Sequence, residues 1–248
     1  MVFITGDCHG NLHKFSYRCF PGQETMNRED YVIICGDFGV VWTDTAEERY
    51  WLDWLEKRPF TTLFVDGNHK NFDRLNTFPV QSWHGGTVHY VRPHVLHLMR
   101  GQLYEIGGST FFTMGGARSH DIEDGILDPA KPDFQAQRKE LKRAGRHRFR
   151  VLGQSWWPEE MPSDAEYLTA LETLERASWK TDYVVTHCAP THIVLSMSRQ
   201  NEADALSDFL EMVDRQLDYT YWFFGHFHDN RPVDEKHILL WEQIVQIL

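Results

Sequence analysis

Long apolar runs are missing from this chain: none approaches the roughly 20 residues that a membrane-spanning helix needs. The opening MVFITGDCHG has only a brief apolar stretch with no basic region before it, so no secretory signal is expected either. Cysteine is sparse. Cys8, Cys19, Cys35 and Cys188 form no CxxC pair, which argues against a zinc ribbon and a thioredoxin-like motif. A cytoplasmic, reduced setting is therefore expected. Positive charge is in deficit, with 25 Lys+Arg against 36 Asp+Glu and a net charge of -11, which disfavours duplex nucleic acid and anionic membranes as partners. No Pro/Ser/Gly-rich linker divides the 248 residues, and 42% hydrophobic content suffices for a sizeable core, so a single domain over 1–248 is expected.

What the chain does have is a recurrence. Short apolar, β-branched or aromatic runs end in Gly or Thr and then a polar residue able to bind a ligand: VFIT-GDCH at 2–9, YVIIC-GD at 31–37, TTLFVD-GNH at 61–69, YVVT-H at 183–187 and YWFF-GHFH at 221–228. Runs this short and apolar read as strands buried on both faces. Helical patterns lie between them at 11–20, 46–57, 164–177 and 201–217. From Thr87 to Gly116 the pattern changes to a meander of short antiparallel strands, and HILLWEQIVQIL at the end supplies a last strand or two. The order implies an α/β fold in which a pair of sheets is flanked by helices.

In open α/β sheets, ligands bind beyond the carboxyl ends of the strands. Placing the five strand ends on one edge gathers Asp7, His9, Asp37, Asn68, His69, His187, His226 and His228. In an extended backbone His226 and His228, two positions apart, would project to the same side and converge on a metal. Buried together, these imidazoles and carboxylates would be costly without ions to pair them.

Taken in order, GDCHG, GDFG, GNH, the isolated TH and GHFH resemble the motif series of the calcineurin-like metallophosphoesterase superfamily. The resemblance implies a two-sheet β-sandwich flanked by helices (α/β/β/α). It also implies one metal on Asp7, His9 and His228, a second on Asn68, His187 and His226, and Asp37 bridging them. A bridging carboxylate offsets charge between two cations that clamp the attacking and leaving oxygens. The mixed N/O donors suit Mn, Fe, Zn or Co. His69 would touch the phosphoryl oxygen or protonate the leaving oxygen while metal-bound hydroxide attacks. The expected activity is hydrolysis of a phosphate ester, a monoester ahead of a diester, on a small phosphorylated substrate or a phosphopeptide. The alternative from another class is a non-catalytic interaction module on the same fold, which would need gaps in the ligand set. None is present.

Two features depart from the protein serine/threonine phosphatase branch, which GDCHGN and the HGG at 84–86 otherwise resemble. That branch follows its second motif with Asp-Arg and its third with Glu, whereas this chain reads GDFGVVW and GNHK, so protein phosphatase activity is not expected. Arg118, in GGARSHD, can grip a phosphate through its fork of donors or serve a structural ion pair. Trp156 and Trp157 can wall a substrate or pack in the core. The stretch 131–150, with eight Lys or Arg against two acids, can steer an anion or be a solvated face. The remaining histidines read as structural or exposed, His84 being the one of most interest. Cys8, Cys35 and Cys188 read as small packing residues.

Overall fold

Every residue of Val2–Thr5 (β1), Tyr31–Ile34 (β2) and Thr61–Phe64 (β3) is buried in the computed structural model, which describes residues 1–197 and 202–248. The three strands pair in parallel, with Ile4 beside Ile33 and Ile33 beside Leu63. Their alternate residues face two different apolar layers. Ile4, Ile33 and Leu63 point between the sheets, while Phe3, Val32 and Phe64 point outward to the helix Ala46–Glu56 (α1). Strands with two buried faces need no polar alternation, which is why these runs are mostly apolar, the exceptions being the buried threonines Thr5, Thr61 and Thr62.

The seven-stranded first sheet continues through Val80–Trp83 (β4), Gly86–Arg92 (β5) and Val95–Leu98 (β6), in the order β3-β6-β5-β4. The chain then crosses to a six-stranded second sheet. Gln102–Ile106 (β7) and Ser109–Met114 (β8) form its hairpin edge. An excursion follows, carrying the two-stranded pair Ile126–Leu127 (β9) and Arg150–Val151 (β10). The second sheet is completed by Tyr183–Thr186 (β11), Tyr221–Phe224 (β12), Arg231–Pro232 (β13) and His237–Leu239 (β14). Ile244–Gln246 (β15) returns to the first sheet, antiparallel to β1. Phe111, Val185 and Phe223 close the layer between the sheets. On the far side Phe112, Val184 and Trp222 meet the helices Asp164–Arg176, Thr191–Met197 and Ala205–Gln216. The expected sheet pair flanked by helices is the observed architecture.

Three expectations are corrected in detail. Residues 11–20 form only a single 3-10 turn, His13–Phe15, and no α-helix. The Asn11 side chain accepts the His13 amide, and Gln23 donates to the carbonyls of Phe15 and Phe20, so local side chains take the backbone bonds that a helix would use. The meander is divided between the sheets at Met99–Gly101 rather than lying in one, and it begins earlier, at Val80. The helix expected over 201–217 runs from Ala205 to Gln216 behind an Asp204 cap, while Asn201 lies outside the described residues. No helix among the described residues is long and apolar enough to cross a membrane.

Candidate dinuclear metal centre

The central strands of both sheets run parallel, so β1, β2, β3, β11 and β12 end on one edge, and each of the five motifs follows such an end. The loops there are drawn together by their own backbones. The amides of Cys8 and His9 donate to the Asp37 carbonyl at 3.1 and 2.7 Å, and Gly225 donates to the His187 carbonyl at 3.2 Å. Four of the gathered side chains stand on left-handed backbone: His9, Asp37, His226 and His228, with φ of 46°, 39°, 69° and 49°. Such a conformation costs a non-glycine residue about 1–2 kcal/mol. It persists because the surrounding structure over-determines it, as is common where geometry serves a function.

Glycine is required at two approaches. A Cβ on Gly225 would lie 2.1 Å from Asp7 Oδ1, and one on Gly67 would lie 2.2 Å from Asp37 Oδ1. Gly225→Ala is therefore expected to displace Asp7 and weaken metal retention with little change in secondary structure. Dialysis against a chelator followed by metal analysis checks this, and retention equal to wild type would contradict it.

The donor atoms converge in two groups. His9 Nε2 and His228 Nε2 face each other at 2.9 Å, with Asp7 Oδ2 at 3.6 Å from the first and 3.2 Å from the second. His187 Nε2 lies 3.4 Å from Asp37 Oδ2 and 3.2 Å from Asn68 Oδ1, while its Nδ1 is fixed by the Cys35 carbonyl at 2.8 Å. His226 does not converge with His228 as an extended strand would make it. The strand stops at Phe224, and His226 Nε2 turns instead to His120 Nε2 at 2.9 Å, its ring packed on His187. His120, two residues after Arg118 in GGARSHD, is thus brought to the centre by the fold. His69 is half-buried beside His9, with ring centroids 5.3 Å apart, and its amide donates to Asp37 Oδ1 at 2.9 Å.

The electrostatics favour cations. Burial by itself would raise both carboxyls. His187, His228 and His9 nevertheless hold Asp7 well below the usual carboxylate range, and His187 chiefly holds Asp37 at about 2. Burial works against a proton on His187, yet Asp37 and Asp7 lift it to about 9. Burial, aided by His187 and His120, lowers His226 to about 3, and burial lowers His69. Two deeply buried carboxylates, an amide oxygen and several imidazoles gathered at one edge form a mixed oxygen and nitrogen donor set that two metal ions fit, since buried carboxylates call for a counter-cation and each imidazole can offer an unprotonated nitrogen.

Behind these groups stands a shell that sequence did not disclose. Asn68 Nδ2 donates to Ser119 Oγ at 3.3 Å, and Ser119 donates through Oγ and N to the buried Glu160 at 2.6 and 2.9 Å. Lys14 Nζ donates to the carbonyls of Gly6, Asp7 and Trp241, each at 2.9 Å, and to Thr5 Oγ1. Trp241 in turn stacks on His228. Lys70, in GNHK, is fully buried over the Phe64 ring, and burial pushes its ammonium down to about 7. Ser119 follows Arg118 in GGARSHD and Glu160 lies three residues after Trp157, and only the fold brings them together. Glu160→Gln is expected to lower metal affinity by roughly 10–100-fold, as loss of an outer partner does. Competition with a metal-binding dye measures it, and unchanged affinity would remove Glu160 from this role.

The other candidates fall elsewhere. Arg118 is half-exposed and pairs with Glu202 at 3.7 Å on the rim of a pocket of about 330 Å³ that also includes His120 and Arg148. Trp157 is buried, donating to Asp73 and meeting Trp42 edge to face, whereas Trp156 is half-buried. The basic stretch is largely exposed, and its last arginines are neutralised: Arg146 by Asp124, Arg148 by Glu123 and Arg150 by Asp121. His84 holds a hairpin turn, stacked on Trp83 and bonded to the Glu105 carbonyl. Burial raises the thiols of Cys8, Cys35 and Cys188, the last to about 12, in keeping with protonated packing residues.

Two parallel-centred sheets carrying carboxylates and imidazoles on one edge define a scaffold suited to metal binding. The chain belongs to the calcineurin-like phosphoesterases, whose family model matches residues 1–230, a family of dinuclear metal-dependent enzymes. Among curated proteins it is similar to lariat debranching enzymes. That of Gallus gallus is 28% identical over 142 residues, covering 51% of this chain and 25% of that protein. That of Danio rerio is 26% identical over 150 residues, covering 53% and 25%, and that of Homo sapiens is 25% identical over 142 residues, covering 51% and 25%. The matched region thus spans about a quarter of the length of these relatives.

Proposed function

We propose that the chain hydrolyses a small phosphate monoester at the sheet edge, with Asp7, His9 and His228 holding one metal, Asn68, His187 and His226 the other, and Asp37 both. The observation that carries this is the convergence of His9, His228 and Asp7 on one side and His187, Asp37 and Asn68 on the other. Bound metals would neutralise the phosphoryl oxygens and activate water. The mixed nitrogen and oxygen donors suit Mn, Fe, Zn or Co. His69 supplies a proton or a hydrogen bond at the reacting phosphate. The residue is half-buried, and the hydrogen bond its amide donates to Asp37 Oδ1 holds its backbone at the centre. Arg118 and Arg148 border the adjoining pocket, and a phosphate dianion would have to displace Glu202 and Glu123, their partners on its lining, to pair with them.

A diester substrate is the second reading, favoured by the similarity to enzymes named for debranching lariats. Steady-state hydrolysis of matched chromogenic mono- and diesters by manganese-loaded protein separates the two. Faster turnover of the diester would overturn the monoester assignment. In the same assay His69→Ala is expected to lower kcat by about 10²–10⁴-fold with metal content intact, the range general acid–base catalysis commands. Undiminished turnover would take His69 out of the reaction.

A further inference from the structure

A second cluster of metal-binding groups lies outside the dinuclear set. His192 in the helix Thr191–Met197, Asp234 in the turn between β13 and β14, and His237 at the start of β14 each offer a ligand atom within 4.8 Å of the others. The two imidazole rings meet edge to face at 5.6 Å. None of these residues belongs to the five motifs.

What distinguishes the cluster from a surface ion pair is how its members are held. His192 Nδ1 lies 2.6 Å from Glu211 Oε2, which also accepts the His192 amide, so Nε2 is the nitrogen left for a ligand. His237 Nε2 is held by Asp214 at 3.3 Å and by the Tyr219 hydroxyl at 3.2 Å, so Nδ1 is the nitrogen turned to Asp234, 2.9 Å from Oδ2. Asp234 Oδ1 accepts the amides of Lys236 and His237, both at 2.8 Å, and lies 3.0 Å from His237 Nδ1, so Oδ2, which bonds no amide, is the oxygen freer for an ion. Each imidazole is thus oriented through its other nitrogen by a carboxylate, the arrangement that fixes tautomer and raises basicity in metal-ligating histidines. His237 is almost fully buried, while His192 and Asp234 leave one side open to solvent, giving an ion a route in.

We propose that His192, Asp234 and His237 bind a divalent transition-metal ion of the zinc type, a site separate from the dinuclear centre. Two imidazoles and one carboxylate make a ligand set that zinc accepts with water in the remaining position. The ion ties the helix Thr191–Met197 to the β13–β14 turn. Just before β13 Asn230 accepts the amides of Trp241 and Gln243, and Trp241 is the ring stacked on His228. Its role is a structural clamp behind one wall of the reaction centre.

The test counts zinc per chain after equilibration with zinc and gel filtration, for wild type, His192→Gln, Asp234→Asn and the exposed control His147→Gln. Asp234→Asn keeps the oxygen that caps the turn, and His192 is exposed, so each variant leaves the fold in place, which circular dichroism verifies. Both variants are expected to carry one fewer zinc than wild type and the control. Cobalt-loaded wild type is expected to show visible absorption of a low-coordinate site that each variant loses in part. A zinc count unchanged in either variant overturns the proposal.

Discussion

Asp37→Asn is expected to lower kcat by on the order of 10³-fold or more, the equivalent of the several kcal/mol of charge stabilisation a metal pair supplies. The substitution keeps an oxygen where Oδ1 accepts the His69 amide and removes only the charge. Asp37 is buried, with His187 and His9 at 3.4 and 3.8 Å from Oδ2, so its charge faces the imidazoles of both proposed metal positions. An amide in its place leaves two cations without the anion between them, and metal content should fall together with turnover. Parallel kinetics and metal analysis check this. Full activity at full metal load in the variant would show that the bridge is not Asp37.

Arg100→Met is expected to cost about 3–5 kcal/mol of stability, the usual result of removing one partner from a buried ion pair. The Arg100 guanidinium engages both oxygens of Asp66, one nitrogen at 3.2 and 3.0 Å and a second more closely. It also donates to the Glu159 carbonyl at 2.8 Å. Asp66 is buried two residues before Asn68, and its own carbonyl accepts the Gly116 amide, so it joins the third motif to the GGARSHD loop. Without the guanidinium the carboxylate keeps His97 at 3.1 Å but loses its main counter-charge. Urea midpoints at constant slope measure the effect. A shift under about 1 kcal/mol would mean that the pair is dispensable, and the double variant with Asp66→Asn should recover part of the loss. Burial alone would raise the Asp66 carboxyl, yet Arg100 and His97 hold it well below its ordinary 3.8. A depressed folded-state value contributes stability that is complete above pH 3.8 and lost as pH falls below it, so Arg100→Met should also flatten the acid side of the stability profile.

The parts of this molecule legible in the sequence are those that local chemistry dictates. Short, mostly apolar runs that end near a glycine or a motif histidine disclose the central sheets, because strands buried on both faces carry few polar side chains. The ordered ligand residues after them disclose the edge on which they gather. Helices with strong caps were also legible, as with Ser163 and Glu166 at the start of Asp164–Arg176. The stretch 11–20 was not, since its fate depends on Gln23 and on Lys14 reaching the end of β1. His226 and His228 look like strand neighbours in sequence and are separated by left-handed backbone that the surrounding contacts enforce. Ser119, Glu160 and His120 enter the centre by crossings between distant segments, which no local pattern records.

The centre also joins the two ends of the folding problem. His228 meets His9 across 219 residues, and the amide of His226 meets Asp7 across the same interval. Contacts so distant in sequence form late, because the entropy of closing such a loop precedes any reward. A nascent or partly unfolded chain therefore holds only fragments of the ligand set, and metal ions select the finished molecule over its precursors. The consequence is kinetic: metals that bind only after the last loops dock should slow unfolding while leaving the rate of folding nearly unchanged.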